Sequence, residues 1–422
     1  MISGTVESIA FGGEGILRHE GLVMFVPFTA PGDQAEVEIL SKKKNFARGK
    51  LLNLKKSSTS RIDPSCLYFG SCGGCQLQHM NYQAQVEAKR NFILDALKRM
   101  GKIEVSELIV HPANQQWHYR RHIRLKLKKE GKGFKAGYIG CDPAQFIQVA
   151  NCPIFLPSEE SLLGTLEPLL ALLSNEGVEE GSLRLIKANE GKFILAFQFF
   201  PELPFNIDAA KDALDNNPSW QGIIAQSPCK KAVFGNIACE AEFLGLKARF
   251  SPFGFLQNHP EQSEKLYQAI LNALPPRGEK VLDLYCGIGI TALLCAKRNK
   301  KVWGIELHRE TLALAKENAH LNHLSVRFIE GKSEIEGARL IKSEQPDVVL
   351  CNPPRTGIDP KLLQILIAEK PAHILYVSCM PSTLARDLQK LTQAGYQITS
   401  IEGFDMFPQT THVETLVVLC QP

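Results

Sequence analysis

From about residue 260, apolar runs of six to nine residues alternate with segments of helical periodicity, and this alternation constrains the fold more than any other feature of the chain. The runs are KVLDLY (280–285), KVWGIEL (301–307), SVRFIEG (325–331), DVVLCN (347–352), HILYVSC (373–379), YQITSIEGF (396–404) and VETLVVLC (413–420). Helical stretches such as TLALAKENAHLN and STLARDLQKLTQAG lie between the earlier ones. Apolar strands alternating with helices predict an open, mostly parallel sheet covered on both faces. The last two strands are separated by a short connection, which predicts an antiparallel hairpin. In such a sheet a ligand belongs outside the carboxyl ends of the strands.

The first of these strands leads into CGIGITALLCA, with Gly287 and Gly289 between strand and helix. The glycines permit a tight turn and a close approach of ligand to backbone. Glu306 ends the next strand, where a carboxylate accepts the two ribose hydroxyls of a nucleoside. A dinucleotide would prefer a third glycine and a free helix N-terminus for its pyrophosphate; Ala292 stands at that position, which the looser fingerprint allows. With Asp283 inside the strand and a cysteine in the turn, the pattern points to a cofactor without pyrophosphate, S-adenosylmethionine being the obvious one. The bland alternative is a glycine turn with no ligand. In LCNPPRTG, Asn352 precedes two prolines that cannot continue a strand, so its side chain is expected to face the pocket. NPP is also similar to the motif of amino-group methylases, although Arg355 stands where those usually have an aromatic residue.

At 422 residues the chain is expected to hold two or three domains, and 44% apolar with 22% charged residues is ordinary for a soluble protein. There is no basic-then-apolar leader at the start and no apolar run of membrane-spanning length. Twelve cysteines without an export signal suit a reducing cytoplasm, where clustered thiols more often bind metal or do chemistry than form disulfides. The residues 1–57 read as about five short strands, fitting a small oligonucleotide-binding-type barrel. KKSSTSR then reads as a linker, and NYQAQVEAKRNFILDALKRMG as a helix capped by Gly101. Residues 153–250 mix a helix over SEESLLGTLEPLLALLSN with strands at KFILAFQFF and GIIAQ, without an assignable motif.

Charge is segregated. Residues 41–61 hold eight basic and no acidic residues, and residues 117–135 hold eight basic and one acidic. Together they carry +15 in a chain whose net charge is +4, leaving −11 elsewhere. A basic surface on an otherwise acidic body suits a polyanion, and the aromatics interleaved in the second run suit nucleic acid over a merely solvated face. Ile123, Leu125 and Leu127 alternate with Arg124, Lys126 and Lys128, predicting a half-buried strand with one cationic side. Candidate RNA contacts are Lys43, Arg48, Arg120, Arg121, Arg124 and Lys126.

DLYCGIG, PPR, SCMPSTLARDL and HVETLVVL, in this order, resemble the RNA uracil-5 methyltransferases. Residues 1–57 resemble a TRAM domain, and CLYFGSCGGCQLQH resembles the iron–sulfur motif of the bacterial ribosomal-RNA branch. The resemblance covers nearly the whole chain and is weakest between about 155 and 245. It implies an α/β chain of three domains: a barrel at 1–57, a central α+β domain at 62–255 and a Rossmann-like methyltransferase domain at 256–422.

The same resemblance implies that Cys379 is a nucleophile and Glu414 a general base. Taken alone, Cys379 reads as a core residue. It also implies that Gln257, Tyr285, Gly287, Glu306 and Asn352 contact S-adenosylmethionine. Cys66, Cys72, Cys75 and Cys152 correspond to ligands of a [4Fe–4S] cluster; the same four thiolates would suit a structural zinc, and spacing does not separate the two. Arg386 is a candidate to stabilise the Cys379 thiolate. Two positions depart from the family: Asn352 stands where aspartate is usual, and Lys332 where an adenine-contacting Asp or Asn is common. The function expected is S-adenosylmethionine-dependent C5 methylation of a uridine in RNA, with large-subunit (23S) ribosomal RNA favoured over transfer RNA, by a monomer. The rival from another class is an RNA-binding protein with a degenerate methylase domain.

Overall fold

The computed structural model describes residues 2–156, 162–188, 191–203, 207–276 and 278–422. At the front, β1 (Ile2–Ile9), β2 (Gly15–His19), β3 (Leu22–Val26), β4 (Gln34–Lys42) and β5 (Phe46–Lys56) close into a barrel in the order β1-β2-β3-β5-β4. Pairing of β1 with β4 seals the ring, so no strand edge is left open. Val6, Leu17, Met24, Val26, Ala35, Val37 and Ala47 fill it. Lys55 and Lys56 belong to β5, which shortens the expected linker to its last five residues. Those residues are pinned: buried Asp33 accepts hydrogen bonds from Ser58 N at 2.9 Å and from the Arg61 guanidinium.

The expected helix forms over Tyr82–Ala96, with the Asn81 side chain accepting from Ala84 N at 2.9 Å. Its end differs from expectation. The last turn widens over Leu97–Gly101, and Lys102, at φ +56°, takes the left-handed position. Gly101 serves contact instead: a Cβ there would lie 3.2 Å from the Ala385 carbonyl oxygen.

After β6 (Ile109–His111) come β7 (His122–Glu130), β8 (Gly133–Ile139), β9 (Phe146–Gln148), β10 (Val178–Lys187), β11 (Phe193–Pro201), β12 (Trp220–Gln226) and β13 (Lys231–Gly235). These seven form a sheet ordered β13-β12-β11-β10-β7-β8-β9. Ile123, Leu125 and Leu127 of β7 enter its apolar layer with Leu166, Leu169 and Leu170, whereas Arg124, Lys126 and Lys128 stay exposed. The period-2 reading of that strand holds. Part of the helix expected over 158–175 lies outside the described residues; the rest is two short helices, Leu162–Thr165 and Glu167–Leu172.

A hairpin of β14 (Cys239–Phe243) and β15 (Leu246–Phe250) leads to the C-terminal sheet. All seven strands expected there form: β16 (Lys280–Leu284), β17 (Lys301–Glu306), β18 (Arg327–Glu330), β19 (Val348–Cys351), β20 (His373–Ser378), β21 (Gln397–Phe404) and β22 (Glu414–Cys420). Their order is β18-β17-β16-β19-β20-β22-β21-β6. The expected hairpin is present, and β22 inserts antiparallel between β20 and β21. An unforeseen eighth strand, β6, joins the edge parallel to β21. The cores also cross the sequence: Ile93, Leu97, Leu108 and Val110 pack with one face of this sheet, and Phe243, Leu246 and Phe250 with the other.

One loop receives contacts from almost every part of the chain. Residues 405–413, between β21 and β22, hold Asp405, which is fully buried in an ion pair with Lys89 and accepts from Tyr82 Oη at 2.8 Å. Gln409 O accepts from Gln76 N and Leu77 N at 3.1 and 3.0 Å, and Pro408 O accepts from Tyr119 Oη at 3.0 Å. A charge with no access to water requires such a partner, so the pair fixes the long helix to the loop.

Candidate active site

A cavity of about 1050 Å³ opens beyond the carboxyl ends of β16, β17, β19 and β20, where the topology predicts a ligand. Tyr285 ends β16 at φ +62°, followed by Gly287 at +56° and Gly289 at +87°. The left-handed conformation of a tyrosine is strained, and here it lies in the cavity wall. A Cβ built on Gly287 would meet nothing within 4 Å, so the turn leaves room for a ligand against backbone. On Gly289 it would come 2.9 Å from the Phe328 ring, so that glycine is required by packing.

Glu306 curls over the turn, accepting from Gly287 N at 3.1 Å and His308 N at 2.8 Å, which orients the carboxylate at the cavity rim. Asp283 is buried beneath it and accepts from Thr291 Oγ1 at 2.6 Å; burial pushes its carboxyl up to about 7. Gln257 lines the same wall, and its buried Oε1 has no hydrogen-bond partner. An orphaned acceptor at this position fits a ligand that brings an ammonium or amide donor. Asn352, after β19, lines the cavity too. All five expected cofactor residues therefore line one cavity. Lys332 does not: it is exposed and faces Glu334 at 3.9 Å.

The same cavity is lined by Cys379 and Glu414. Their meeting follows from register. Ser378 pairs with Thr415 across β20 and β22, so the next residue of one strand faces the preceding residue of the other. Burial raises the Cys379 thiol above its usual range, and the Glu414 carboxylate adds to this; the positive charge of Arg355, which lines the same cavity, opposes both. Burial also pushes Glu414 up to about 7, with Arg355 again pulling downward. The cation beside the thiol is therefore Arg355. The expectation for Arg386 is corrected: its guanidinium donates to Asp387 Oδ1 at 2.8 Å and to Thr356 O at 2.9 Å. The PPR in the sequence was the available signal, since a proline-stiffened turn after β19 delivers the next side chain to the mouth of the neighbouring strand.

His412 and Phe407 line the cavity as well, with the ring of Phe11, from the first barrel turn, at 6.5 Å from that of His412. Burial lowers the His412 imidazole to about 4, and the charges of Arg355, Lys89 and Arg120 add to this.

Of the expected RNA contacts, Arg124 and Lys126 lie on the exposed side of β7, with Arg124 donating to Ser182 Oγ at 3.2 Å. Lys43 is exposed over the Phe46 ring at 5.5 Å, and Arg48 pairs with Glu14 at 2.6 Å. Arg120 and Arg121 do not share the cationic face, because β7 begins only at His122 and the alternation does not extend back to them. Arg121 lies over the Phe243 ring at 5.0 Å, and Arg120 turns inward over Phe407 at 5.7 Å.

Cys66, Cys72, Cys75 and Cys152 line a second, small cavity of about 50 Å³, together with Tyr68, Tyr138 and Arg120. All four thiols are free, and Cys72 Sγ accepts from Gly74 N at 3.4 Å. Among the described residues no three His, Cys, Asp or Glu side chains are gathered as a single metal ion would require. Of the remaining cysteines, Cys239 and Cys295 are buried, Cys229 is exposed, and Cys420 is half-buried with His373 Nδ1 at 3.0 Å from its sulfur.

Comparison with known proteins agrees with this architecture. The model of the tRNA (Uracil-5-)-methyltransferase family matches residues 81–421, and that of the TRAM domain matches residues 5–52. An uncharacterized RNA methyltransferase of Protochlamydia amoebophila is 44% identical over 421 residues, covering 99% of this chain and 97% of that protein. Another, from Halalkalibacterium halodurans, is 32% identical, covering 98% and 96%. Among solved structures, Pyrococcus abyssi tRNA (uracil-54, C5)-methyltransferase in complex with S-adenosyl-L-homocysteine superposes with a TM-score of 0.78 at 26% identity, over 99% of both chains. Fold, cavity and comparisons define an S-adenosylmethionine-dependent RNA methyltransferase. More narrowly, the chain belongs to the RNA uracil-5-methyltransferase family, with an N-terminal TRAM domain.

Proposed function

We propose that this protein methylates C5 of one uridine in large-subunit ribosomal RNA, with Cys379 as nucleophile and Glu414 as general base. The observation that carries the mechanism is the meeting of Cys379 and Glu414 across β20 and β22, with Arg355, in one cavity that Gln257, Gly287 and Glu306 also line. C5 of uracil is too poor a nucleophile to take a methyl group unaided. Addition of the Cys379 thiolate at C6 breaks the C5–C6 π bond and makes an enolate whose C5 is nucleophilic. When bound, S-adenosylmethionine would supply an electrophilic methyl group, its S–CH3 bond breaking as C5 takes the methyl and S-adenosylhomocysteine leaving. After C5 is methylated, Glu414 takes the C5 proton, the π bond re-forms, and the thiolate leaves. Burial raises this carboxyl toward neutrality, which makes it a stronger base than an ordinary carboxylate. Arg355 lowers the cost of the thiolate.

Gln257, Tyr285, Gly287, Glu306 and Asn352 would hold the cofactor, the orphaned Gln257 Oε1 supporting this. The target uridine would be flipped from its stack into the cavity. Arg124, Lys126 and the barrel, with Lys43 and Arg48, would grip the surrounding RNA. RNA carrying 5-fluorouridine, which lacks the removable proton, should form a stable adduct with the wild type and none with Cys379→Ala. An adduct at another residue, or activity retained in Cys379→Ala, refutes the mechanism.

A transfer-RNA target is the second reading, favoured by the likeness to the Pyrococcus abyssi transfer-RNA enzyme. Mapping 5-methyluridine in ribosomal and transfer RNA from a deletion strain separates the two.

We also propose that Cys66, Cys72, Cys75 and Cys152 hold a [4Fe–4S] cluster. Four free thiols lining one cavity form the right donor set. The same four thiolates would suit a structural zinc, and the metal content decides between the two. When present, the cluster would tie residues 66–75 to Cys152 across the central domain. Iron and sulfide analysis after anaerobic purification tests this; a colourless protein with one stoichiometric zinc overturns it. The working form proposed is a cytoplasmic monomer.

A further inference from the structure

The turn that delivers Arg355 to the thiol cannot hold itself. Pro353 and Pro354 have no N–H to donate, and the turn's own backbone bond is Gly357 N to Pro354 O at 2.9 Å. Three more of its backbone groups are tied to the helix Pro381–Gln393, which starts two residues after Cys379. The single proton of Thr383 Oγ1 is shared between Arg355 O at 3.1 Å and Met380 O at 3.2 Å, so the hydroxyl bridges the turn and the start of the helix, and Arg386 Nη2 donates to Thr356 O at 2.9 Å. Asp387 Oδ2 accepts from Ile358 N at 2.9 Å and from Tyr376 Oη at 2.8 Å, while Oδ1 accepts from Arg386 Nε at 2.8 Å.

Residues 383, 386 and 387 are spaced i, i+3, i+4, so they form one face of the helix. The turn lies directly against that face. At Gly357, with φ +83°, a Cβ would fall 2.5 Å from both Arg386 Nη2 and Asp387 Oδ2. The Asp387 carboxylate has no exposed surface and sits at the centre of the tie, joining the turn, the helix and β20 through Tyr376.

We propose that Asp387, with Thr383, is a positioning residue for Arg355: it fixes the turn so that the guanidinium stays against Cys379. Asp387 does not touch the cavity, and Arg386 serves the turn rather than the sulfur. The same helix thus begins beside the thiol and holds the cation that the thiol needs. This rests on the reading of Cys379 as the reacting thiol, and it concerns thiol ionisation alone, so RNA is not required to test it.

The experiment is the pH profile of Cys379 alkylation by iodoacetamide in the full-length protein, followed by mass spectrometry of the 379 peptide. Thr383→Val and Asp387→Asn should shift the profile to higher pH in the same direction as Arg355→Gln. Alkylation at pH 7 should slow about three- to tenfold, since thiolate fraction falls tenfold for each unit the thiol rises. S-adenosylhomocysteine binding, measured by calorimetry, should stay within about twofold, because neither Thr383 nor Asp387 lines the cavity. Thr383→Ser, which keeps the hydroxyl, should restore the wild-type profile. Should Asp387→Asn fail to fold, Thr383→Val alone decides. A wild-type profile in folded Thr383→Val overturns the proposal, as does an equal loss in Thr383→Ser. Failure of the uridine reading would show differently, as an absent 5-fluorouridine adduct with the thiol profile intact.

Discussion

Replacing Glu414 by glutamine should stabilise the protein while stopping turnover, and the two effects have one cause. Glu414 is 5% exposed, and burial raises its carboxyl from 4.5 to about 7. Between those values the folded chain holds a proton that the unfolded chain releases, so stability falls as pH rises through this window and is level above it. The gap corresponds to about 3 kcal/mol of penalty for the buried charge at pH 8. Glutamine has nearly the same shape and never ionises. Urea unfolding of Glu414→Gln and wild type should therefore agree near pH 4.5, diverge between pH 5 and 7, and differ by up to about 3 kcal/mol at pH 8, the variant being more stable. The same variant cannot remove the C5 proton, so with ordinary RNA and S-adenosylmethionine it should accumulate the Cys379 adduct. A stability difference that does not change with pH would refute the electrostatic account, and rapid turnover by the variant would refute the assignment as base. The wild-type rate of proton removal should rise with pH through about 7, where Glu414 ionises.

Three further outcomes follow from the geometry. Lys89→Met leaves Asp405 buried without its cation and should cost about 3–5 kcal/mol in urea unfolding, much of it recovered in Lys89→Met/Asp405→Leu. Gln257→Ala should weaken S-adenosylhomocysteine binding by about tenfold or more in calorimetry, since the lost contact is to a charged or amide group in a buried wall. Lys126→Ala on the exposed side of β7 should weaken RNA binding and lower the slope of log affinity against log salt by about one, with cofactor affinity unchanged.

What the sequence made legible follows from how local each signal is. The strands from 280 onward, the glycine turn and the alternation of β7 are short-range patterns, and the structure reproduces them nearly to the residue. The meeting of Cys379 with Glu414 depends on β22 inserting beside β20, a matter of register between segments more than thirty residues apart. Resemblance supplied that pair; periodicity alone could not. The misplacements share a second cause. Arg386 and Arg120 were assigned from chain proximity, to the thiol and to the basic strand, whereas each points by its own packing. Arg386 is one position from a buried carboxylate and is captured by it, and Arg120 precedes the strand whose alternation would have turned it outward.

That capture explains why the cation at the thiol comes from a different loop. A thiol at the carboxyl end of β20 is followed at once by a helix, and side chains of that helix point back over its first turn or away from the sheet. Arg386 on that helix therefore reaches the neighbouring turn, donating to Thr356 O. The turn after β19, the strand paired in parallel with β20, ends alongside the thiol and can place a side chain across its mouth. Two prolines stiffen that turn while stripping it of donors, and the helix after Cys379 restores the missing bonds through Thr383, Arg386 and Asp387. The nucleophile's own helix thus supports the cation it cannot supply, and the motif NPPRTG depends on PSTLARD as much as on its own residues.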